Sequence, residues 1–115
     1  MHEYSIVAAL VERVEREVEA RPGAQVRRLH VRIGELAGVE LALLKTAYET
    51  FRERTVCEGA ELAIAPVSAS WRCPRCDRAL AAGAILRCPG CGRPAQLAAG
   101  DEIILDRIEM EVRDV

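Results

Sequence analysis

Four of the five cysteines in this 115-residue chain stand in two pairs, each with two residues between its cysteines. Eleven residues separate the pairs, which are Cys73 with Cys76 in CPRC and Cys88 with Cys91 in CPGC. Two intervening residues form a tight turn that aims both sulfur atoms at one ion, and four thiolates complete the tetrahedral coordination of a structural zinc site. The pattern therefore predicts a Zn(II) site that folds the segment around it and leaves no open position for catalysis.

The cysteine pattern leaves some alternatives open. A single pair of this kind also occurs in redox proteins, but two pairs in one short segment punctuated by glycine and proline favour a metal site. Iron fits the same four-sulfur cage, and the softness and geometry of the ligands permit both metals, so zinc and iron both remain open. The fifth cysteine, Cys57, lies away from both pairs, and we interpret it as an ordinary, partly buried thiol.

The chain has two histidines, His2 and His30. An imidazole one residue from the free amine of Met1 can form adjoining chelate rings with that amine and the backbone nitrogen between them, and Ni(II) accepts such ligands in square-planar or tetragonal geometry. A histidine near a frayed terminus is more often a plain surface residue. The position of His2 alone therefore does not decide between a nickel ligand and a surface residue. Strand alternation places His30 on a polar face, which predicts a solvent-exposed side chain and not a ligand.

The elements that must position these residues follow from hydrophobic spacing. Apolar residues at helical spacing predict two amphipathic helices, one from Ile6 to Val18 and one from Leu41 to Phe51. Alternation of apolar and polar residues predicts three strands, around residues 29–33, 62–64 and 108–112. Each element has one apolar face, so we predict an α/β unit of the α+β type, in which two helices pack on a three-stranded sheet.

The cysteine segment interrupts this unit and has no strong hydrophobic periodicity, so we expect it to need a metal to fold. We therefore predict a discontinuous α/β domain at residues 1–67 and 101–115, and an inserted zinc-ribbon-like domain at residues 68–100.

Composition excludes several classes of function. The 16 basic and 18 acidic side chains give a formal charge of −2, which provides no polybasic surface for nucleic acid or membrane. The N-terminus lacks the basic region of a signal peptide, and no stretch approaches the roughly 20 apolar residues that span a bilayer. Cysteine usage suits a reducing compartment, so we expect a cytoplasmic protein. The sequence has no Ser-His-Asp set, no phosphate loop and no pair of histidines for a catalytic metal, so we do not expect an enzyme.

Several motifs in a fixed order carry a resemblance that covers essentially the whole chain. They are the opening MHE, RIGELAGV at residues 32–39, GAEL at 59–62, the two cysteine pairs, GDE at 100–102 and IEME at 108–111. On these residues the chain resembles the HypA and HybF family of hydrogenase nickel incorporation proteins.

The resemblance implies a nickel metallochaperone with two metal sites, one for Ni(II) and one for Zn(II). By it, His2 ligates nickel, nitrogens of Met1 and Glu3 help to complete the site, and Glu3 supports the site or partner recognition. The zinc ligands implied by the family motif are Cys73, Cys76, Cys88 and Cys91, and the implied fold is a nickel-binding α/β unit with a protruding zinc domain.

The resemblance also implies partners. Family members work with the GTPase HypB and deliver nickel to the large subunit of [NiFe]-hydrogenase, and some serve urease. We expect a monomer or weak homodimer that binds neither membrane nor nucleic acid. Some relatives have histidines beside the zinc cysteines, but this chain has none there, so exchange of a zinc ligand for imidazole is not expected.

One rival interpretation is a zinc-ribbon module that binds nucleic acid or another protein. Five arginines stand against one aspartate in the cysteine segment, but Trp71 is its one aromatic residue available for stacking on bases.

Overall fold

The computed structural model describes residues 3–80 and 86–112. In these residues two helices and six strands follow one another along the chain. They are α1 (Glu3–Glu19), β1 (Ala24–Gly34), α2 (Leu41–Phe51), β2 (Glu61–Val67), β3 (Ser70–Cys73), β4 (Arg78–Ala79), β5 (Gln96–Ala99) and β6 (Ile103–Val112). Within the described residues no helix is both long and apolar enough to cross a membrane.

The first sheet has the strand order β2-β1-β6, with β1 in the middle. β1 runs parallel to β2, with Val31 opposite Ile64, and antiparallel to β6, with Leu29 opposite Ile108. A parallel pair needs a crossover connection, and α2 provides it between β1 and β2. β2 is an edge strand, where the missing N–H of Pro66 is tolerated.

The core of this unit is aliphatic and lies between the sheet and the two helices. Period-3.6 spacing puts five apolar side chains of α1 on one buried face: Ile6, Val7, Leu10, Val11 and Val14. The buried residues of β1 are Val26, Leu29, Val31 and Ile33, and those of α2 are Leu44, Ala47 and Tyr48. This arrangement confirms the predicted fold of two helices packed on a three-stranded sheet.

A second, smaller sheet has the order β4-β3-β5 and antiparallel pairing throughout. Its strands have two to four residues, which is too short for hydrophobic alternation to reveal them in the sequence. Cys73 ends β3, Cys76 lies in the turn between β3 and β4, and the second cysteine pair lies between β4 and β5. This arrangement agrees with the expected ribbon-like insert.

The loop after β1, at Glu35 and Leu36, is hydrogen-bonded to both chain segments that connect the two sheets. The N–H of Glu35 donates to the carbonyl of Val67 at 2.8 Å, and the N–H of Leu36 donates to the carbonyl of Gly100 at 2.7 Å. The Glu35 carboxylate accepts a further hydrogen bond of 3.0 Å from the N–H of Ala69. Both connections to the cysteine-bearing sheet are therefore tied to the same loop.

Candidate metal centre

The structure brings the four paired cysteines together at one point. Their sulfur atoms all lie within 4.8 Å of one another. Two of the side chains are buried, Cys73 and Cys88, whereas Cys91 is half-buried and Cys76 is exposed. A tetrahedral zinc ion with Zn–S bonds of about 2.3 Å places its ligands about 3.8 Å apart. The cluster has the donor type, number and spacing that such an ion requires, so these residues fit zinc.

Each cysteine pair lies in a hairpin, which we call a knuckle; knuckle 1 is residues 71–80 and knuckle 2 is residues 86–95. In knuckle 1 the N–H of Asp77 donates to the carbonyl of Cys73 at 2.8 Å, and the N–H of Cys76 donates to the Cys73 sulfur at 3.4 Å. The second bond favours a thiolate and holds the pKa of the Cys73 thiol below its ordinary value. Cys73 therefore reaches the thiolate form, which is the form that binds a metal, more readily than an ordinary cysteine.

Knuckle 2 repeats most of this geometry 15 residues later in the chain, but the backbone donor to its first sulfur is Gly90, which corresponds to Arg75 and not to Cys76. The N–H of Gly92 donates to the carbonyl of Cys88 at 2.8 Å, and the N–H of Gly90 donates to the Cys88 sulfur at 3.4 Å. The residue after the second cysteine of each knuckle has left-handed backbone, with φ of 49° at Asp77 and 73° at Gly92. The sequence prediction recognised the paired cysteines but missed this wider correspondence.

Two arginines next to the cysteines were not among the predicted site residues. Arg72 and Arg87 immediately precede the first cysteine of their knuckles, and each donates from its guanidinium to backbone within its own knuckle. The signal that marks them is the repeated sequence RCPxCxR at residues 72–78 and 87–93.

The predicted nickel ligands are only partly covered by the structure. Met1 and His2 lie outside the described residues. Glu3 is the first residue of α1, and its carboxylate lies 3.5 Å from the backbone nitrogen of Glu40, which is the residue before α2. The next residue, Tyr4, makes an edge contact with Phe51, with 5.9 Å between ring centroids. Glu3 therefore lies beside the start of α2, whereas Tyr4 contacts the last residue of α2.

His30 lies on the outer face of the first sheet, as predicted, but its side chain is only 22% exposed. Its Nε2 lies 2.7 Å from a carboxylate oxygen of Glu109, a hydrogen bond that lowers the pKa of Glu109. The predicted exposed histidine is therefore a partly buried, paired one. In the part of the chain that the structure describes, the cysteine cluster is the one group of three or more metal-binding side chains.

Cys57 lies in the segment that connects α2 to β2 and is fully buried, and burial raises the pKa of its thiol to about 11. The sequence predicted an ordinary thiol that is partly buried; its burial is in fact complete.

A family model described as hydrogenase/urease nickel incorporation, metallochaperone, hypA matches residues 1–110. The chain belongs to this HypA family. The matched range includes the N-terminal residues and both cysteine pairs, and it confirms the resemblance drawn from the motifs. HypA is a family of metallochaperones for hydrogenase maturation and not of enzymes.

Individual HypA relatives match over nearly their whole length. The hydrogenase maturation factor HypA of Shewanella oneidensis is 35% identical over 113 residues, which cover 96% of each chain. The factor of the same name from Aquifex aeolicus is 36% identical over 114 residues, covering 97% of this chain and 99% of the relative.

Two solved structures share the fold. The solution structure of the Ni metallochaperone HypA from Helicobacter pylori superposes with a TM-score of 0.73 at 30% identity, and covers 98% of this chain and 100% of its own. A second solution structure of a HypA protein gives a TM-score of 0.81 at 30% identity and covers 98% of both chains.

Proposed function

We propose that this chain binds Ni(II) through nitrogens of Met1, His2 and Glu3 and delivers it during the maturation of [NiFe]-hydrogenase. The observation that carries the proposal is the family match, which begins at residue 1 and so includes the MHE terminus. Nickel is the cargo of such a protein and not a resident cofactor. We also propose that the protein works in the cytoplasm with the GTPase HypB and the hydrogenase large subunit, as a monomer or weak homodimer.

The chemistry of the N-terminus suits a cargo site. The terminal amine, the backbone nitrogens and one imidazole supply nitrogen donors within the first three residues, and Ni(II) favours such donors in a square-planar set. A chelate at a chain end is reached from solvent on several sides, which suits transfer to another protein. Glu3 starts α1 beside the start of α2, so its position in the folded unit supports a role in anchoring the terminal residues.

The second part of the proposal is a structural zinc site at Cys73, Cys76, Cys88 and Cys91. It is supported by the sulfur spacing and by the N–H donors to Cys73 and Cys88. Zinc bound there would cross-link knuckles 1 and 2. This cross-link would stabilise their fold, because their short strands bury little apolar surface. All four ligands come from the protein, so a metal bound there has no open coordination position. The proposed domain limits are 1–67 with 101–115 for the nickel unit and 68–100 for the zinc unit.

Calorimetry with zinc-loaded protein and a native, untagged N-terminus tests the nickel site. His2→Ala is compared with wild type, and His30→Ala is the matched control because it removes the other imidazole. We expect His2→Ala to lose stoichiometric Ni(II) binding, and His30→Ala to bind like wild type, with one zinc retained in all three. Wild type that takes up no nickel, or His2→Ala that binds it equally well, would show that the N-terminal site is wrong.

A further inference from the structure

The paired strands of knuckles 1 and 2, and the turn after the second cysteine of each, correspond at an offset of 15 residues. The N–H of Leu80 donates to the carbonyl of Trp71 at 2.9 Å, and 15 residues later the N–H of Ala95 donates to the carbonyl of Leu86 at 2.9 Å. Strand pairing repeats as well, because Arg72 lies opposite Ala79 and Arg87 lies opposite Pro94. The correspondence defines equivalent positions in the two knuckles.

The arginine that precedes the first cysteine makes an equivalent contact in both knuckles. Nη2 of Arg72 donates to the carbonyl oxygen of Asp77 at 2.8 Å and to its carboxylate at 2.8 Å. Nη1 of Arg87 donates to the carbonyl oxygen of Gly92 at 3.1 Å. Asp77 and Gly92 are equivalent, and both have the left-handed backbone that turns the chain after the second cysteine.

This contact fixes the part of the knuckle that the sulfur-directed bonds leave free. The N–H of Asp77 already donates to the carbonyl of Cys73, which holds the peptide group before Asp77 but not the peptide group after it. The guanidinium of Arg72 donates to the Asp77 carbonyl and so holds the peptide group after Asp77. Charge-assisted hydrogen bonds of this kind are stronger than neutral ones. The backbone of Cys76, which lies next to Asp77, is thereby restricted, although its side chain is exposed to solvent.

We propose that Arg72 and Arg87 are positioning residues of the metal centre, each of which clamps the turn after the second cysteine of its knuckle and so slows metal release. The proposal rests on the proposed zinc site. Neither arginine touches the metal; each acts through the backbone that carries Cys76 or Cys91. Groups that orient metal ligands in this way typically change metal affinity by about 10-fold to 100-fold when they are removed.

A purely electrostatic role is the main alternative, because any arginine near a zinc tetrathiolate offsets its negative charge. The chain provides a matched control in Arg75. Arg75 is equivalent to Gly90 in knuckle 2, so no arginine is required at that position, and among the described contacts its side chain makes no hydrogen bond. Arg75→Met removes the same charge from knuckle 1 without removing a clamp.

The experiment measures the rate at which zinc passes from the full-length protein to a chromophoric chelator in excess. Wild type, Arg72→Met, Arg87→Met, Arg72→Lys and Arg75→Met are compared, and circular dichroism checks that each remains folded. We expect Arg72→Met and Arg87→Met to release zinc about 10-fold faster, and Arg75→Met to behave like wild type. Arg72→Lys should recover part of the loss, since lysine can donate to the Asp77 carbonyl. The visible spectrum of the Co(II)-loaded protein, which reports thiolate geometry, should change in Arg72→Met but not in Arg75→Met.

Equal release from Arg72→Met and Arg75→Met would overturn the clamp in favour of simple charge, and wild-type rates in all variants would overturn both. Wild type that carries no zinc would instead refute the proposed zinc site, and the clamp with it.

Discussion

Gly34, the last residue of β1, lies directly against Gly100, which precedes β6 at the return from the cysteine-bearing sheet. A Cβ on Gly34 would overlap the carbonyl oxygen of Gly100. Gly100 itself has a φ of 106°, and a Cβ there would lie 2.5 Å from the Cα of Ala69 in the outgoing segment. Three backbone segments therefore meet where no side chain fits between them, and this contact sets how the chain enters and leaves the second sheet.

The first prediction is that Gly34→Ala destabilises the protein by about 3 kcal/mol, because the added methyl group forces two backbones apart. Gly38→Ala is the control. Gly38 has a φ of 74° but nothing within 4 Å of its Cβ position, so only left-handed strain of about 1 kcal/mol is expected. Urea denaturation of zinc-loaded protein measures both values. A loss in Gly34→Ala no larger than in Gly38→Ala would contradict the close contact.

The second prediction concerns the carboxylate of Glu35, which accepts the 3.0 Å hydrogen bond from the N–H of Ala69. Glu35→Ala leaves this amide without its acceptor and should speed its hydrogen exchange by roughly 5-fold to 10-fold, as a net bond energy of about 1 kcal/mol implies. Glu35→Gln keeps a side-chain oxygen and should largely preserve the protection. Exchange of Ala69 is followed by NMR, and an unchanged rate in Glu35→Ala would rule out the bond in solution.

Much of the α/β unit could be predicted from the sequence because its signals are local. The spacing of Ile6 to Val18 and the alternation of Leu29, Val31 and Ile33 identify the buried faces of α1 and β1 without knowledge of their partners. The Gly34–Gly100 contact has no such signal, since it depends on two segments that are distant in sequence. The strands of the second sheet also lack a local signal, because they are too short to show an alternation of apolar and polar residues.

The candidate metal centre could also be predicted only in part. The spacing of the cysteines is enough to predict that their sulfurs meet. The roles of Arg72 and Arg87 depend on where the backbone carbonyls of Asp77 and Gly92 point, which spacing does not determine. The pairing of His30 with Glu109 is a diagonal contact between strands, since His30 lies opposite Arg107 and Glu109 lies opposite Arg28. Alternation within one strand predicted the correct face but not this partner or the burial.

The third prediction concerns the carbonyl oxygen of Ala60, which accepts two hydrogen bonds. The hydroxyl of Tyr48 donates to it at 2.9 Å and Nη1 of Arg52 donates at 2.8 Å. Tyr48→Phe and Arg52→Met should each cost about 1 kcal/mol, because the other donor remains. The double variant leaves a buried carbonyl without either donor, so its loss should exceed the sum of the single losses by about 1 kcal/mol. Strict additivity in a double-mutant cycle would show that the bonds are independent.

The fourth prediction is a loss of stability at alkaline pH that arises from the buried pair Cys57 and Tyr48. Burial raises the pKa of the Cys57 thiol from 9.0 to about 11, and it raises the pKa of Tyr48 in the same direction. The unfolded chain therefore releases these protons at a lower pH than the folded chain does. The stability due to Cys57 is complete below pH 9 and is lost as the pH rises towards 11.

Cys57→Ala separates the cysteine from other groups that titrate in this range. At pH 8 the variant should be less stable than wild type by about 1 kcal/mol, since it leaves a small cavity. Between pH 9 and 11 wild type should lose stability more steeply than the variant, because alanine has no proton to release, so the difference between them should narrow. Urea denaturation of zinc-loaded protein at several pH values gives both curves. Parallel curves for the two proteins would mean that the Cys57 thiol titrates at the same pH folded and unfolded.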